Sequence, residues 1–135
     1  MKLLLPESLW AQILAEARAA IPRECCGLVL GRRGGEGAAI TALHPARNCA
    51  EDSERFEIAP EDHFTAQRAA RVAGLDVIGC YHSHPDGMAK PSATDLAGAG
   101  EENFFWLIAT PQGALAAFVY SRGGMTGADL VTSSS

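Results

Sequence analysis

Two histidines one residue apart at the end of an apolar run, His82-Ser83-His84-Pro85, followed by Ser92-Ala93-Thr94-Asp95, constrain this chain more than any other segment. Side chains two apart on an extended segment share a face, so His82 and His84 meet a common point if Val77 to His84 is a strand. Asp95 joins them only if the chain turns back at once. Asp86-Gly87-Met88-Ala89-Lys90-Pro91 supplies the turn, and Ser92 begins a short helix ending in the Gly98-Ala99-Gly100 region. Two imidazoles and a carboxylate make three protein ligands, and three with an open fourth position is the pattern of a catalytic zinc site, whereas four would mark a structural one.

The same residues carry a structural reading. Ser92 three residues before an acid has the form of a capping box at a helix N-terminus. The two readings are compatible, because a cap that fixes the first helical turn also holds Asp95 still. Ser83, out of phase with the imidazoles, should point away from the metal. Amide hydrolysis by a bound ion further requires a group that carries a proton from water to the departing nitrogen. Glu24 is the best-placed candidate: it precedes an apolar strand, Cys25 to Leu30, while Glu101 and Glu102 lie in a polar, glycine-rich connection.

Taken with Pro22-Arg23-Glu24-Cys25-Cys26-Gly27-Leu28, the order Glu24, His82-Ser83-His84-Pro85, Ser92-x-x-Asp95 resembles the JAMM (MPN-plus) metalloprotease motif, and the likeness runs over nearly the whole chain. In particular the chain resembles the small, stand-alone bacterial members that act on sulfur-carrier proteins with a ubiquitin-like fold. The resemblance implies an α/β fold: a single MPN domain whose curved, mixed β-sheet is flanked by helices, cytidine-deaminase-like. It implies one Zn2+ per chain held by His82, His84 and Asp95 with a bound water, Glu24 as general acid/base, and Ser92 as a donor to the oxyanion. The implied reaction is hydrolysis after the C-terminal Gly-Gly of the carrier, releasing an amino acid such as cysteine or a short extension. Two alternatives remain: an endopeptidase or deubiquitinase-like isopeptidase acting on another protein, such as a phage tail component, and a non-catalytic scaffold. The intact set of five polar residues argues against the scaffold. A zinc deaminase is excluded by the missing His-x-Glu and Pro-Cys-x-x-Cys signature.

With 135 residues, 47% of them hydrophobic, the chain suffices for one cooperative core, so a single domain over 1–135 is expected. A formal charge of −5 offers no basic field to nucleic acid or to an anionic membrane. Pro6-Glu7 stops the apolar start too early for a signal peptide or a membrane span, which points to the cytoplasm. The four cysteines form no Cys-x-x-Cys pair and read as buried thiols. Cys80 shares strand parity with the histidines but stands a further step from the metal.

The remaining expectations concern elements. A helix follows Pro6 with Leu9, Ile13, Ala17 and Ala20 on one face and ends before Pro22. Strands are expected at Cys25 to Leu30 and Ala38 to Ala42, joined by a flexible Gly31 to Gly37 loop. A polar loop containing Asn48 leads to a short strand at Arg55 to Ile58. A second helix starts at Pro60, has His63 facing solvent and stops at Gly74. Strands at Phe104 to Thr110 and Leu115 to Tyr120 complete the sheet, with their aromatic residues in core contacts. Residues from about 131 to 135 should fray.

Overall fold

The computed structural model describes residues 1–134. Seven strands and three helices follow in the order β1 (Lys2–Pro6), α1 (Glu7–Ala20), β2 (Cys26–Gly34), β3 (Gly37–Ala46), α2 (Pro60–Ala73), β4 (Asp76–Ser83), α3 (Ala93–Gly98), β5 (Phe105–Ala109), β6 (Leu115–Ser121) and β7 (Gly124–Ser133). The sheet is mixed. β4 pairs in parallel with β5, β1 pairs in parallel with both β3 and β7, and the other ladders are antiparallel. The curvature expected of the sheet goes as far as closure, in the order β1-β3-β2-β4-β5-β6-β7.

Strand β4 lies between β2 and β5, and from Ile78 to Ser83 every residue is buried, which is why the segment reads as apolar on both faces. Alternation of side chains divides the interior into two clusters. One joins Leu3, Leu5, Val29, Tyr81 and Leu107 to Ile13 and Ala17 of α1. The other joins Cys26, Leu28, Cys80 and Trp106 to Ala66 and Ala70 of α2. His82 has the parity of Cys80 and so emerges on the α2 side. The register is guarded by close approaches. A Cβ at Gly27 would lie 2.3 Å from the Tyr81 ring, and one at Gly79 would lie 2.4 Å from the Phe105 carbonyl oxygen.

Helix α1 ends at Ala20, before Pro22, and α2 ends on Gly74, whose φ of 71° is the left-handed cap expected there. Three expectations are corrected. The segment Arg55 to Ile58 is not a strand: only Ile58 pairs, as an isolated bridge to Asn48, because the run hugs the site rather than extending the sheet. The Gly31 to Gly37 loop is mostly strand, since Arg32 and Arg33 pair with Ala39 and Ala38 and leave only a tight turn at Gly35 and Glu36. Most of the fraying tail is ordered as far as Ser133, because Val131, Thr132 and Ser133 pair with Leu4, Leu5 and Pro6; Ser135 lies outside the described residues. Among the described residues no helix is long and apolar enough to cross a membrane.

Candidate metal centre

β4 delivers His82 from its last turn of pleat and His84 from the first residue beyond it. The ladder holds this end in place: His84 N donates to Ala109 O at 2.8 Å and Ser83 N to Cys25 O at 3.2 Å. The Ser83 hydroxyl, turned away from the histidines as expected, accepts from Cys25 N at 2.8 Å. That bond ties the start of β2, and with it Glu24, to β4.

Helix α3 supplies the carboxylate. The Ser92 hydroxyl accepts from Asp95 N at 3.0 Å while Asp95 Oδ2 accepts from Ser92 N at 3.0 Å, a complete capping box. The same Oδ2 lies 3.1 Å from His82 Nε2 and 3.0 Å from His84 Nε2, and the two Nε2 atoms are 3.0 Å apart. His82, His84, Asp95 and Glu24 are all buried, and Glu24 offers an oxygen within 4.8 Å of both imidazoles.

The three close atoms, two imidazole nitrogens and a carboxylate oxygen, form a nearly equilateral triangle. Zinc bonds of about 2.0–2.2 Å at tetrahedral angles set ligand atoms about 3.3–3.6 Å apart, so the observed spacing fits one face of such a site after small adjustment. The ring orientations agree. His84 Nδ1 donates to Met88 O at 2.7 Å, which leaves Nε2 of the neutral ring as an acceptor for an ion. Glu24 Oε1 is buried without a hydrogen-bond partner among the described residues, an acceptor left free beside the triangle. The Asp95 oxygen already touches both imidazoles, whereas the Glu24 oxygen stands further out.

Burial dominates the electrostatics of Glu24 and, with the acids Asp95, Asp86 and Asp52, lifts its carboxyl to about 7 against an opposing pull from His84. Burial also disfavours protonated His82 and lowers it. For His84 burial works the same way, but hydrogen bonds to Asp95 and Met88 outweigh it and carry the ring to about 9. Burial would raise Asp95; the hydrogen bonds from His82 and His84 more than reverse this and hold it far below the usual carboxylate range. In the metal-free chain the triangle is therefore a carboxylate sharing a proton held by His84. Burial pushes the Cys25 thiol up to about 11 and Cys80 well up, so neither is a ready thiolate. Cys80 sits behind His82 in the apolar cluster.

Two cavities meet at α3. One of about 420 Å³ is lined by Phe56, Ile58, Phe104 and Trp106 together with Thr94 and Asp95, and exposed His63 reaches its rim. The other, about 680 Å³, is lined by Glu24, His84, Ser92 and Thr94 with Asp86 and Lys90. Sequence reasoning did not find Phe56 or Trp106 as neighbours of the site. Phe56 stacks on His82 at 4.3 Å with planes 21° apart, and Trp106 meets the same ring edge-on at 5.7 Å. Nothing in the spacing of Phe56 marks it, since the loop that carries it is shaped by tertiary contacts.

The model of prokaryotic homologs of the JAB domain matches residues 6–121. A desampylase of Haloferax volcanii is 37% identical over 97 residues, which cover 71% of this chain and 68% of that protein. The tail tip assembly protein K of Escherichia phage N15 is 34% identical over 105 residues, covering 76% of this chain and 39% of that protein. Among solved structures, protein DSY2949 from Desulfitobacterium hafniense superposes with a TM-score of 0.89 at 30% identity, covering 100% of this chain and 94% of that one. The JAB1/MPN domain protein AF2198 of Archaeoglobus fulgidus shares the fold, with a TM-score of 0.56 at 20% identity over 97% of this chain and 96% of that one. With an α/β fold of mixed sheet and helices, and a family match spanning all but the ends, this chain belongs to the prokaryotic JAB-domain branch of the JAMM/MPN family.

Proposed function

We propose that residues 1–135 form a single zinc-dependent peptidase domain that hydrolyses the amide bond after the C-terminal Gly-Gly of a small ubiquitin-like sulfur-carrier protein. The observation that carries this reading is the triangle of His82 Nε2, His84 Nε2 and Asp95 Oδ2, with edges of 3.0–3.1 Å and the buried Glu24 carboxyl beside it. His82, His84 and Asp95 would hold the ion. When bound, zinc supplies a water made acidic enough to ionise near neutral pH and polarises the carbonyl under attack.

The chain's own residues do the rest. Glu24, at about 7, is balanced between accepting and giving a proton at working pH, so it can take the proton of the attacking water and deliver it to the departing nitrogen. Ser92 is exposed, and its oxygen accepts from Asp95 N, which leaves the hydroxyl hydrogen free to donate to the carbonyl oxygen as negative charge grows there. Burial of His82 and Asp95 keeps bulk water from the ligands, so these charges act in a medium of low dielectric constant. A Gly-Gly tail suits such a site because two residues without side chains can lie extended between cavity walls.

The name of the Haloferax relative denotes removal of a small ubiquitin-like modifier, which supports a substrate with that fold. A second reading, an endopeptidase for another protein, is favoured by the likeness to the phage tail tip assembly protein. Zinc-loaded protein mixed with carriers extended by cysteine or a short peptide beyond Gly-Gly should yield a product mass cut after the second glycine. Cleavage at other sequences would favour the endopeptidase, and no cleavage of any carrier would remove the preferred substrate.

A further inference from the structure

Every hydrogen-bonding position of the Asn48 side chain is in use. Nδ2 donates to Glu24 O at 2.9 Å and to Arg55 O at 3.2 Å, and Oδ1 accepts from Ala50 N at 2.9 Å and from Glu57 N at 3.0 Å. A side-chain amide has two donors and two acceptor lone pairs, so none is left over. Three of these partners bear on the site. Glu24 carries the unpartnered carboxyl, and Arg55 and Glu57 flank Phe56, whose ring lies on His82 at 4.3 Å.

The His82 ring needs such support. A metal-binding imidazole is ordinarily oriented by a hydrogen bond from its second nitrogen, as His84 is by Met88 O at 2.7 Å. Buried His82 Nδ1 has no such partner among the described residues. Its ring plane is set instead by aromatic contact, with Phe56 nearly parallel at 21° and Trp106 nearly perpendicular at 89°. Trp106 is fixed within β5, but Phe56 belongs to a loop and depends on what holds the loop. Backbone bonds from Cys49 N to Glu57 O at 2.7 Å and from Ala59 N to Arg47 O at 3.2 Å hold its outline. Among the described residues, only Asn48 grips the backbone on both sides of Phe56 and the Glu24 carbonyl together.

We propose that Asn48 is a positioning residue: through Phe56 it sets the plane of His82, and through the Glu24 carbonyl it sets the carboxylate beside that ring. The inference rests on the reading of His82 as a ligand and Glu24 as the base. A residue that merely staples the loop would affect stability alone.

The test uses Asn48→Ala and Phe56→Leu in the full chain. In metal-free protein, NMR of the His82 ring protons reads the Phe56 ring current, which shifts protons facing the aromatic ring upfield. Chelator competition then reads affinity for Zn2+ alone, thermal melts read stability, and turnover of a Gly-Gly-extended carrier gives kcat and KM. Asn48→Ala is expected to lose the upfield shift, to bind Zn2+ about 10-fold or more weakly, and to lower kcat with little change in KM. Phe56→Leu leaves the Asn48 bonds in place but removes the ring current itself, so it is read by Zn2+ affinity, which should fall by a similar factor; that loss decides the matter if Asn48→Ala fails to fold. Wild-type ring shifts and Zn2+ affinity in folded Asn48→Ala, or wild-type Zn2+ affinity in folded Phe56→Leu, with only the melting temperature lowered, would overturn the proposal. A wild-type protein that binds no Zn2+ or cleaves no carrier would sink the proposed function, while the ring-shift comparison in metal-free protein would still decide the role of Asn48.

Discussion

Glu24→Gln offers the sharpest test of the site, because it removes one charge while keeping the side chain's shape. Glu24 is 4% exposed, and its Oε1 has no partner among the described residues, so the carboxylate is held at a disadvantage that the carboxylic acid does not share. Burial raises the group from 4.5 to about 7, and at about 1.4 kcal/mol per tenfold this sets an upper limit of about 3 kcal/mol on the destabilisation of the metal-free protein once Glu24 ionises. The direction follows from the shift. A folded pKa above the unfolded one gives a contribution that is fully present below 4.5, is lost as pH rises through about 7, and is absent above.

Gln does not ionise, so the metal-free variant should match the wild type near pH 4.5 and exceed it at pH 8, by up to about 3 kcal/mol. For a domain of this size that corresponds to about 4 °C per kcal/mol in melting temperature. Melts of both metal-free proteins between pH 4.5 and 8.5 measure the gap directly. With zinc restored, the proposed ligand set of His82, His84 and Asp95 expects the variant to keep its metal and lose turnover by roughly 10²-fold or more. A gap in melting temperature that does not change with pH would refute the burial argument, and a fully active variant would refute the role as base.

Zinc must displace the proton that His84 holds to about 9, so apparent zinc affinity should rise roughly tenfold per pH unit between about 7 and 9 and level off above; a flat profile in chelator competition would contradict this. The same proton supports the metal-free fold below 6.5, and that support should fade as pH rises through about 9. Ser92→Ala should lose about 1 kcal/mol with the helix cap and about 10²-fold in single-turnover rate with the oxyanion donor; loss of stability with unchanged rate would leave it only a cap. Gly27→Ala puts a methyl group 2.3 Å from the Tyr81 ring, whose hydroxyl is fixed by donating to Glu16 Oε1 at 2.7 Å. It should cost about 1–3 kcal/mol in denaturant unfolding, and a neutral result would mean that β4 shifts easily.

The convergence of His82, His84 and Asp95 was legible because its parts are local consequences of the backbone. Residues two apart on extended backbone share a face, so His82 on β4 and His84 just beyond its end converge. Ser92 and Asp95 are three apart at a helix start, and the cap forms from those residues alone. Closure of the barrel was not legible, for the opposite reason. β1 and β7 come from the two ends of the chain, and β7 carries Gly124, Gly127, Ala128 and Asp129, residues weak in strand preference that are extended here by pairing with β1 and β6. The loop from Arg47 to Ala59 was misread at Arg55 to Ile58 because its apolar residues, Phe56 and Ile58, face the site instead of a neighbouring strand.

The choice between cap and ligand at Asp95, which the sequence poses, is dissolved by a single atom. Oδ2 accepts from Ser92 N and also faces both Nε2 atoms, so the cap is what aims this oxygen at the histidines. An oxygen has lone pairs for both tasks, and the backbone bond leaves Asp95 with no freedom to swing away when protons leave the histidines. A carboxylate on a flexible loop would have to be ordered by the ion. Here the ordering is done by a six-residue helix that is too short to hold its form without its cap, so helix, cap and metal site should gain or lose order together.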